Sequence, residues 1–123
     1  MKNNPEGKIT VRTRHAYIYK ITNNAENKCY IGKTFKHFTL RWMEHFSGSS
    51  LCGKLVMALA RSKITDWTFQ VVEVVKFEYW NTSPTEFKEL LTEKENNYIL
   101  HYDSVDKGYN CHYPIKKTLQ TCN

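Results

Sequence analysis

The chain has 123 residues, 41% of them apolar, and a formal net charge of +6. That length bounds it to one domain with a modest core and no separate recognition domain, and the apolar content excludes a disordered chain. No run reaches the length of a membrane span and the polar start from Met1 to Thr10 lacks the apolar stretch of a secretory leader, so a soluble, cytoplasmic protein without a membrane partner is expected.

Residues 1–14 are polar and carry Lys2, Lys8, Arg12 and Arg14, which reads as a basic arm able to contact phosphates or a second protomer. His15 to Thr22 and Lys28 to Lys33 are short β-prone runs separated by the turn-forming stretch Asn23-Asn24-Ala25-Glu26-Asn27, the pattern of an antiparallel hairpin. In the first run Tyr17, Tyr19 and Ile21 share one face. Thr39 is placed to cap a helix running to about Ser47, and Ser49 or Ser50 to cap another running to about Ser62, with Leu51, Leu55 and Leu59 at i, i+4 spacing. Trp67 to Val75, rich in valine and phenylalanine, reads as a third strand, central and largely buried. Ser83-Pro84-Thr85-Glu86 then sets a capping serine, a proline at the first helical position and a capping-box glutamate in order, so a long helix starts there. Residues 114–123 read as a tail beyond a domain spanning 15–113.

The apolar stripe of that last helix runs Phe87, Leu91, Tyr98, Ile99 and Tyr102, and Glu95 lies four residues from both Leu91 and Ile99. A carboxylate therefore faces the sheet. Burial would protonate it unless a cation meets it, and the candidates are a metal ion or a cation from the basic half of the chain, an arginine such as Arg41 included. One carboxylate suits a single magnesium ion that keeps several waters, and it suits a two-metal centre poorly.

The charge is unevenly spread. Residues 1–63 hold twelve Lys or Arg against three acids, giving +9, and residues 64–123 hold six against nine, giving −3. Cations interleaved with Tyr17, Tyr19, Tyr30, Phe35, Phe38 and Trp42 make either a footprint for a phosphate backbone or a solvated basic face. Tyr19 and Tyr30 are eleven residues apart and Arg41 follows eleven later, a spacing that can gather two phenols and a guanidinium at one phosphate. Gly32 and Lys33 follow Tyr30, placing bare backbone and a flexible cation where a phosphate can approach. Arg41 and His45 are four apart on one helix side. Tyr17, Tyr98, Tyr102 and Tyr109 read as packing residues, and His15, His37, His101 and His112 as ordinary histidines. Cys29, Cys52, Cys111 and Cys122 show no zinc-finger spacing and read as buried or idle thiols.

The segments Tyr17-Ile18-Tyr19, Tyr30-Ile31-Gly32, Lys33-Thr34, Arg41 with His45, Glu95 ahead of Tyr98-Ile99, and Gly108-Tyr109-Asn110 resemble, in order, the motifs of the GIY-YIG endonuclease family. The resemblance covers residues 15–113. It implies an α/β (α+β) fold, a small three-stranded antiparallel sheet flanked by helices, and an intracellular enzyme of a bacterial or phage-type host. By the same resemblance Tyr19, Tyr30, Lys33, Arg41, His45, Glu95 and Asn110 occupy the family's catalytic positions, with Glu95 the metal ligand. Tyr17 departs from the pattern by standing where the first motif has glycine, and residues 49–62 hold no histidine where some relatives carry one.

The implied activity is Mg²⁺-dependent hydrolysis of DNA phosphodiesters, with Mn²⁺ as a substitute ion and no organic cofactor. Arg41 would neutralise charge on the phosphate, and Tyr19 would be the general base, its phenol made more acidic by Lys33 and the metal. Tyr30 and His45 would orient water, base or phosphate, and Asn110 is equally read as a residue tying the last segment to the sheet. Two other classes compete: a non-catalytic nucleic-acid-binding module and a covalent phosphotyrosine strand-transfer enzyme. One small module implies low sequence selectivity or a homo-oligomer, with self-association assigned to the acidic second half.

Overall fold

The computed structural model describes residues 13–47, 52–78 and 83–114. The expected cap at Ser49 or Ser50, Leu51, Cys122 and nearly all of the basic arm and the tail lie outside these residues. Three strands, β1 (Thr13–Asn23), β2 (Lys28–Thr34) and β3 (Trp67–Glu78), form one antiparallel sheet in the order β2-β1-β3. Helices α1 (Phe38–Phe46) and α2 (Gly53–Arg61) pack on one face and α3 (Pro84–Tyr102) on the other. The chain thus has the α+β architecture expected, with each strand two or three residues longer at one or both ends or matched to within one.

The hairpin turn is built as its composition suggests. The Asn23 side-chain oxygen accepts from the backbone N–H groups of Ala25 and Glu26 at 3.0 and 3.2 Å, and Asn27 takes the left-handed conformation at φ 58° that asparagine tolerates. On α3, Ser83 and Glu86 exchange the two bonds of a capping box, each at 3.1 Å. At α1 the cap is His37 rather than Thr39: the imidazole Nδ1 accepts from Thr39 N at 3.3 Å, and the helix begins at Phe38.

The third strand is at an edge and not central. Its partner on one side is β1, and Val74 is half exposed. Ile18 pairs with Glu73 while Tyr19 pairs with Val71, so Val72 is an extra residue on β3. A bulge of this kind switches which face successive side chains meet. Trp67 and Phe69 consequently join Tyr19, Ile21, Leu55 and Leu59 in the core under α2, whereas Val75 and Phe77 join Ala16, Ile18, Phe87, Leu91 and Ile99 under α3. An unbroken period of two would place Trp67, Phe69, Val75 and Phe77 on one side. Tyr102, expected in the stripe of α3, instead lies at the surface under the Lys20 ammonium, 4.3 Å from its ring centroid.

Gly32 serves a different purpose from the one its position beside Lys33 suggests. It lies opposite Tyr19 across the β1–β2 pair, and a Cβ at Gly32 would overlap the Tyr19 ring and hydroxyl. The missing side chain is the space that the phenol fills, not an opening for phosphate. Gly32→Ala is expected to cost about 3 kcal/mol through overpacking, measured by denaturant unfolding. An unchanged midpoint would mean that the ring moves freely aside.

Candidate active site

A cavity of about 200 Å³ opens where β2, α1, the start of α2, α3 and the segment after α3 converge. Tyr30, Lys33, Arg41, Glu95 and Asn110 line it, joined by Cys52, Ile99, Cys111, His112 and Pro114. Five of the seven residues singled out from the sequence therefore face one space, although they come from positions 30 to 110. The other two, Tyr19 and His45, sit behind it, 0% and 1% exposed.

Glu95 projects inward because Leu91 and Ile99, one turn to either side, are buried against the sheet. Its cation is Lys33, whose Nζ donates to Glu95 Oε1 at 2.9 Å. Arg41 does not pair with Glu95. Its guanidinium donates to Glu44 Oε1 at 2.8 Å, and Lys36 donates to the other oxygen of Glu44 at 2.7 Å. Lys36 first and Arg41 second hold Glu44 down to about 2, so Glu44 is a fixed negative anchor for Arg41 at neutral pH. Burial pushes the Glu95 carboxyl up, with Lys33 and then His112 pulling against it. A further cation brought beside Glu95 would oppose that upward shift.

Tyr19's hydroxyl and His45 Nε2 are 2.8 Å apart, and the Arg41 guanidinium lies near enough to Tyr19 to favour its ionised form. Burial, then Tyr30, drives the Tyr19 phenol well above its usual range, and the opposing cation is Arg41 rather than Lys33. Burial, then Cys52 and Glu95, pushes Tyr30 up to about 12. Burial, then Arg41, holds His45 down to about 4, so its ring is neutral at pH 7. Among the described residues His45 Nδ1 has no hydrogen-bond partner. The two phenol rings and the imidazole form one aromatic cluster, with His45 5.1 Å from Tyr30 and 5.9 Å from Tyr19 between centroids.

The neutral state of His45 has a measurable consequence. The unfolded chain takes up a proton near the ordinary histidine value while the folded chain does not until about pH 4, so stability falls as pH drops through that window. The loss is about 3 kcal/mol between neutral pH and pH 4 for a ring this deeply buried. Comparing denaturation of the native chain and His45→Gln across that range isolates it. Equal pH slopes in the two would contradict the buried neutral imidazole.

Asn110 is the tie between the last segment and the sheet. Its side-chain oxygen accepts from Ile31 N at 2.8 Å and its amide donates to Ile31 O at 2.9 Å, fixing β2 one residue beyond Tyr30. Tyr17, at the position where the family pattern has glycine, packs edge-on against Phe38 at 5.2 Å and so braces the start of α1. Tyr109 and Tyr98 act as packing residues with satisfied hydroxyls, donating to Glu26 at 2.8 Å and Glu73 at 3.0 Å. Sequence reasoning passed over Glu44, Cys52, Cys111 and His112. Glu44 is readable three residues after Arg41, and His112 two residues after Asn110, whereas the neighbourhood of Cys52 and Cys111 has no local signature.

Among the described residues no group of three or more His, Cys, Asp or Glu is placed to hold a metal ion. For a hard cation the cavity offers a single carboxylate, with one oxygen engaged by Lys33, the His112 ring and the Cys52 and Cys111 thiols being softer donors. Such a set fits a hard divalent ion that draws its remaining ligands from water and a phosphate, and it does not fit a protein-enclosed metal.

The chain belongs to the GIY-YIG catalytic domain family, whose model matches residues 15–110, and it is thus a nuclease domain of that family. Among solved structures it is similar to the catalytic domain of the intron endonuclease I-TevI in a point-mutant form, with 28% identity and a TM-score of 0.64, over 80% of this chain and 95% of that one. A second structure of the catalytic domain of the homing endonuclease I-TevI gives 27% identity and a TM-score of 0.61, over 79% of this chain and 98% of that one. A search of curated proteins gives no match.

Proposed function

We propose that this chain is a metal-dependent endonuclease that hydrolyses DNA phosphodiester bonds at the cavity lined by Tyr30, Lys33, Arg41 and Glu95. The observation that carries the proposal is the convergence of a buried carboxylate, a guanidinium, an ammonium and a phenol from three different elements on one space of about 200 Å³. The surplus of cations in the first half of the chain supports a polyanionic substrate. Glu95 would hold Mg²⁺ or Mn²⁺, and the ion, when bound, supplies Lewis-acid stabilisation of charge on the phosphate.

The chain's own groups divide the remaining work. Arg41, anchored by Glu44, presents its guanidinium to the equatorial oxygens, where negative charge grows in the transition state. Lys33 neutralises Glu95 before substrate arrives and is a second cation for the phosphate afterwards. Tyr30 faces the cavity and meets the attacking water. The base role expected of Tyr19 passes to Tyr30 in this reading, because a phenol with no exposed surface is out of reach of a water on the substrate. Tyr19 and neutral His45 form the dry floor that fixes Arg41. Tyr30→Phe is then expected to slow single-turnover cleavage by about 10²–10³-fold, more than Tyr19→Phe does. The opposite order would return the base role to Tyr19.

One site cuts one strand per encounter, so a double-strand break requires two protomers or two visits. The proposal is tested by incubating the protein with plasmid, single-stranded and junction DNA, with Mg²⁺ and with chelator, and resolving the products under denaturing conditions. Nicks that appear only with the ion and carry no protein support hydrolysis. Protein retained on the ends would indicate a phosphotyrosine linkage, and intact DNA in every lane would indicate a binding module.

A further inference from the structure

The wall of the cavity contains two thiols that the proposed chemistry does not use. Cys52 precedes the first turn of α2 and Cys111 follows Asn110, and their sulfurs are 2.7 Å apart although 59 residues separate them in sequence. Cys52 Sγ also donates to Tyr109 O at 2.9 Å, which orients it toward the segment that carries Cys111. Cys111 is exposed and Cys52 half-buried. We propose that Cys52 and Cys111 are a reversible dithiol–disulfide site, closed by a small-molecule disulfide of the glutathione class, that staples the start of α2 to the segment after Asn110.

The asymmetry of the pair sets the order of steps. Burial opposes ionisation of Cys111, but hydrogen bonds from Cys52 and from the backbone of Lys54 and Gly53, with the Lys54 ammonium, bring it below the usual thiol value. Cys52 is raised, by burial first and then by Cys111. The Cys111 thiolate attacks the small disulfide, forming a mixed disulfide and releasing one small thiolate. Cys52 then loses its proton to solvent and attacks the Cys111 sulfur, releasing the second small thiolate and leaving the Cys52–Cys111 bond. Two protein thiols are oxidised and one small disulfide is reduced to two thiols. The closed loop contains β3 and α3, with Glu95, so the bridge restricts the unfolded chain across half of its length and fixes part of the cavity wall.

The inference does not depend on the nuclease reading, and its test needs no DNA. The full chain is equilibrated with oxidised glutathione, alkylated, digested and mapped, and its thermal midpoint is compared with that of the reduced chain. The expected result is a peptide joining Cys52 to Cys111, reversed by dithiothreitol, with a midpoint raised on the order of 10 °C. Neither change should occur in Cys52→Ser or Cys111→Ser, and the reduced Cys111→Ser chain should melt close to the reduced native chain because Cys111 is a surface residue. Glutathione persisting on Cys111 with Cys52 still alkylatable, a bond from either residue to Cys29 or Cys122, thiols that stay reduced, or a joined peptide without a change in midpoint would each overturn the proposal.

Discussion

Glu95→Gln is expected to reduce DNA cleavage by about 10³-fold or more while leaving DNA affinity within a few-fold of native, because the amide keeps the shape and one hydrogen-bond acceptor but cannot supply a charged ligand. The residue is 9% exposed and its neighbour Lys33 donates to it at 2.9 Å, so a neutral amide of the same size leaves that contact possible and the helix in place. Single-turnover cleavage and a gel-shift titration on the same preparation separate chemistry from binding. Retained cleavage would reduce Glu95 to the structural partner of Lys33.

The second large effect is at Arg41. Arg41→Lys preserves the charge but not the planar fork that donates to Glu44 and can present its other N–H groups to a phosphate. A loss of about 10²–10³-fold in the cleavage step is expected, the scale seen when one preorganised donor to a developing charge is removed. Binding should change far less, since many cations in residues 1–63 share the contact with the backbone. A variant as fast as the native chain would make the guanidinium a structural partner of Glu44 only. A matching loss of affinity would place it in ground-state binding instead.

Much of the site was legible because it rests on local periodicity. Glu95 sits one helical turn from two buried apolar residues, and that spacing alone turns it inward. The demand for a cation beside it follows from the cost of burying charge, and Lys33 answers it. The hairpin, its Asn-rich turn and the capping box of α3 are equally local, and each is found as read.

The features that escaped are tertiary. The edge position of β3 is a matter of strand order, and the bulge at Val72 arises where β3 crosses from one core to the other; a run of valines reads the same at an edge or at the centre. The burial of Tyr19 is not legible in the sequence, because its strand position says nothing of what covers it. Gly32 opposite makes a slot, and His45 from α1 closes it. Cys52 and Cys111 meet through a contact spanning 59 residues, which spacing rules for metal sites and disulfides do not anticipate without a structure.

Metal-dependent cleavage at this cavity requires that the Glu95 carboxylate bind a divalent ion rather than serve only Lys33. Electron paramagnetic resonance of Mn²⁺ titrated into a protein–oligonucleotide complex distinguishes the two directly, using Arg41→Ala to hold the DNA uncut. One bound ion per complex in Arg41→Ala, lost in the double variant Arg41→Ala, Glu95→Gln, is the predicted result. Equal Mn²⁺ binding in both, or none in either, would contradict it.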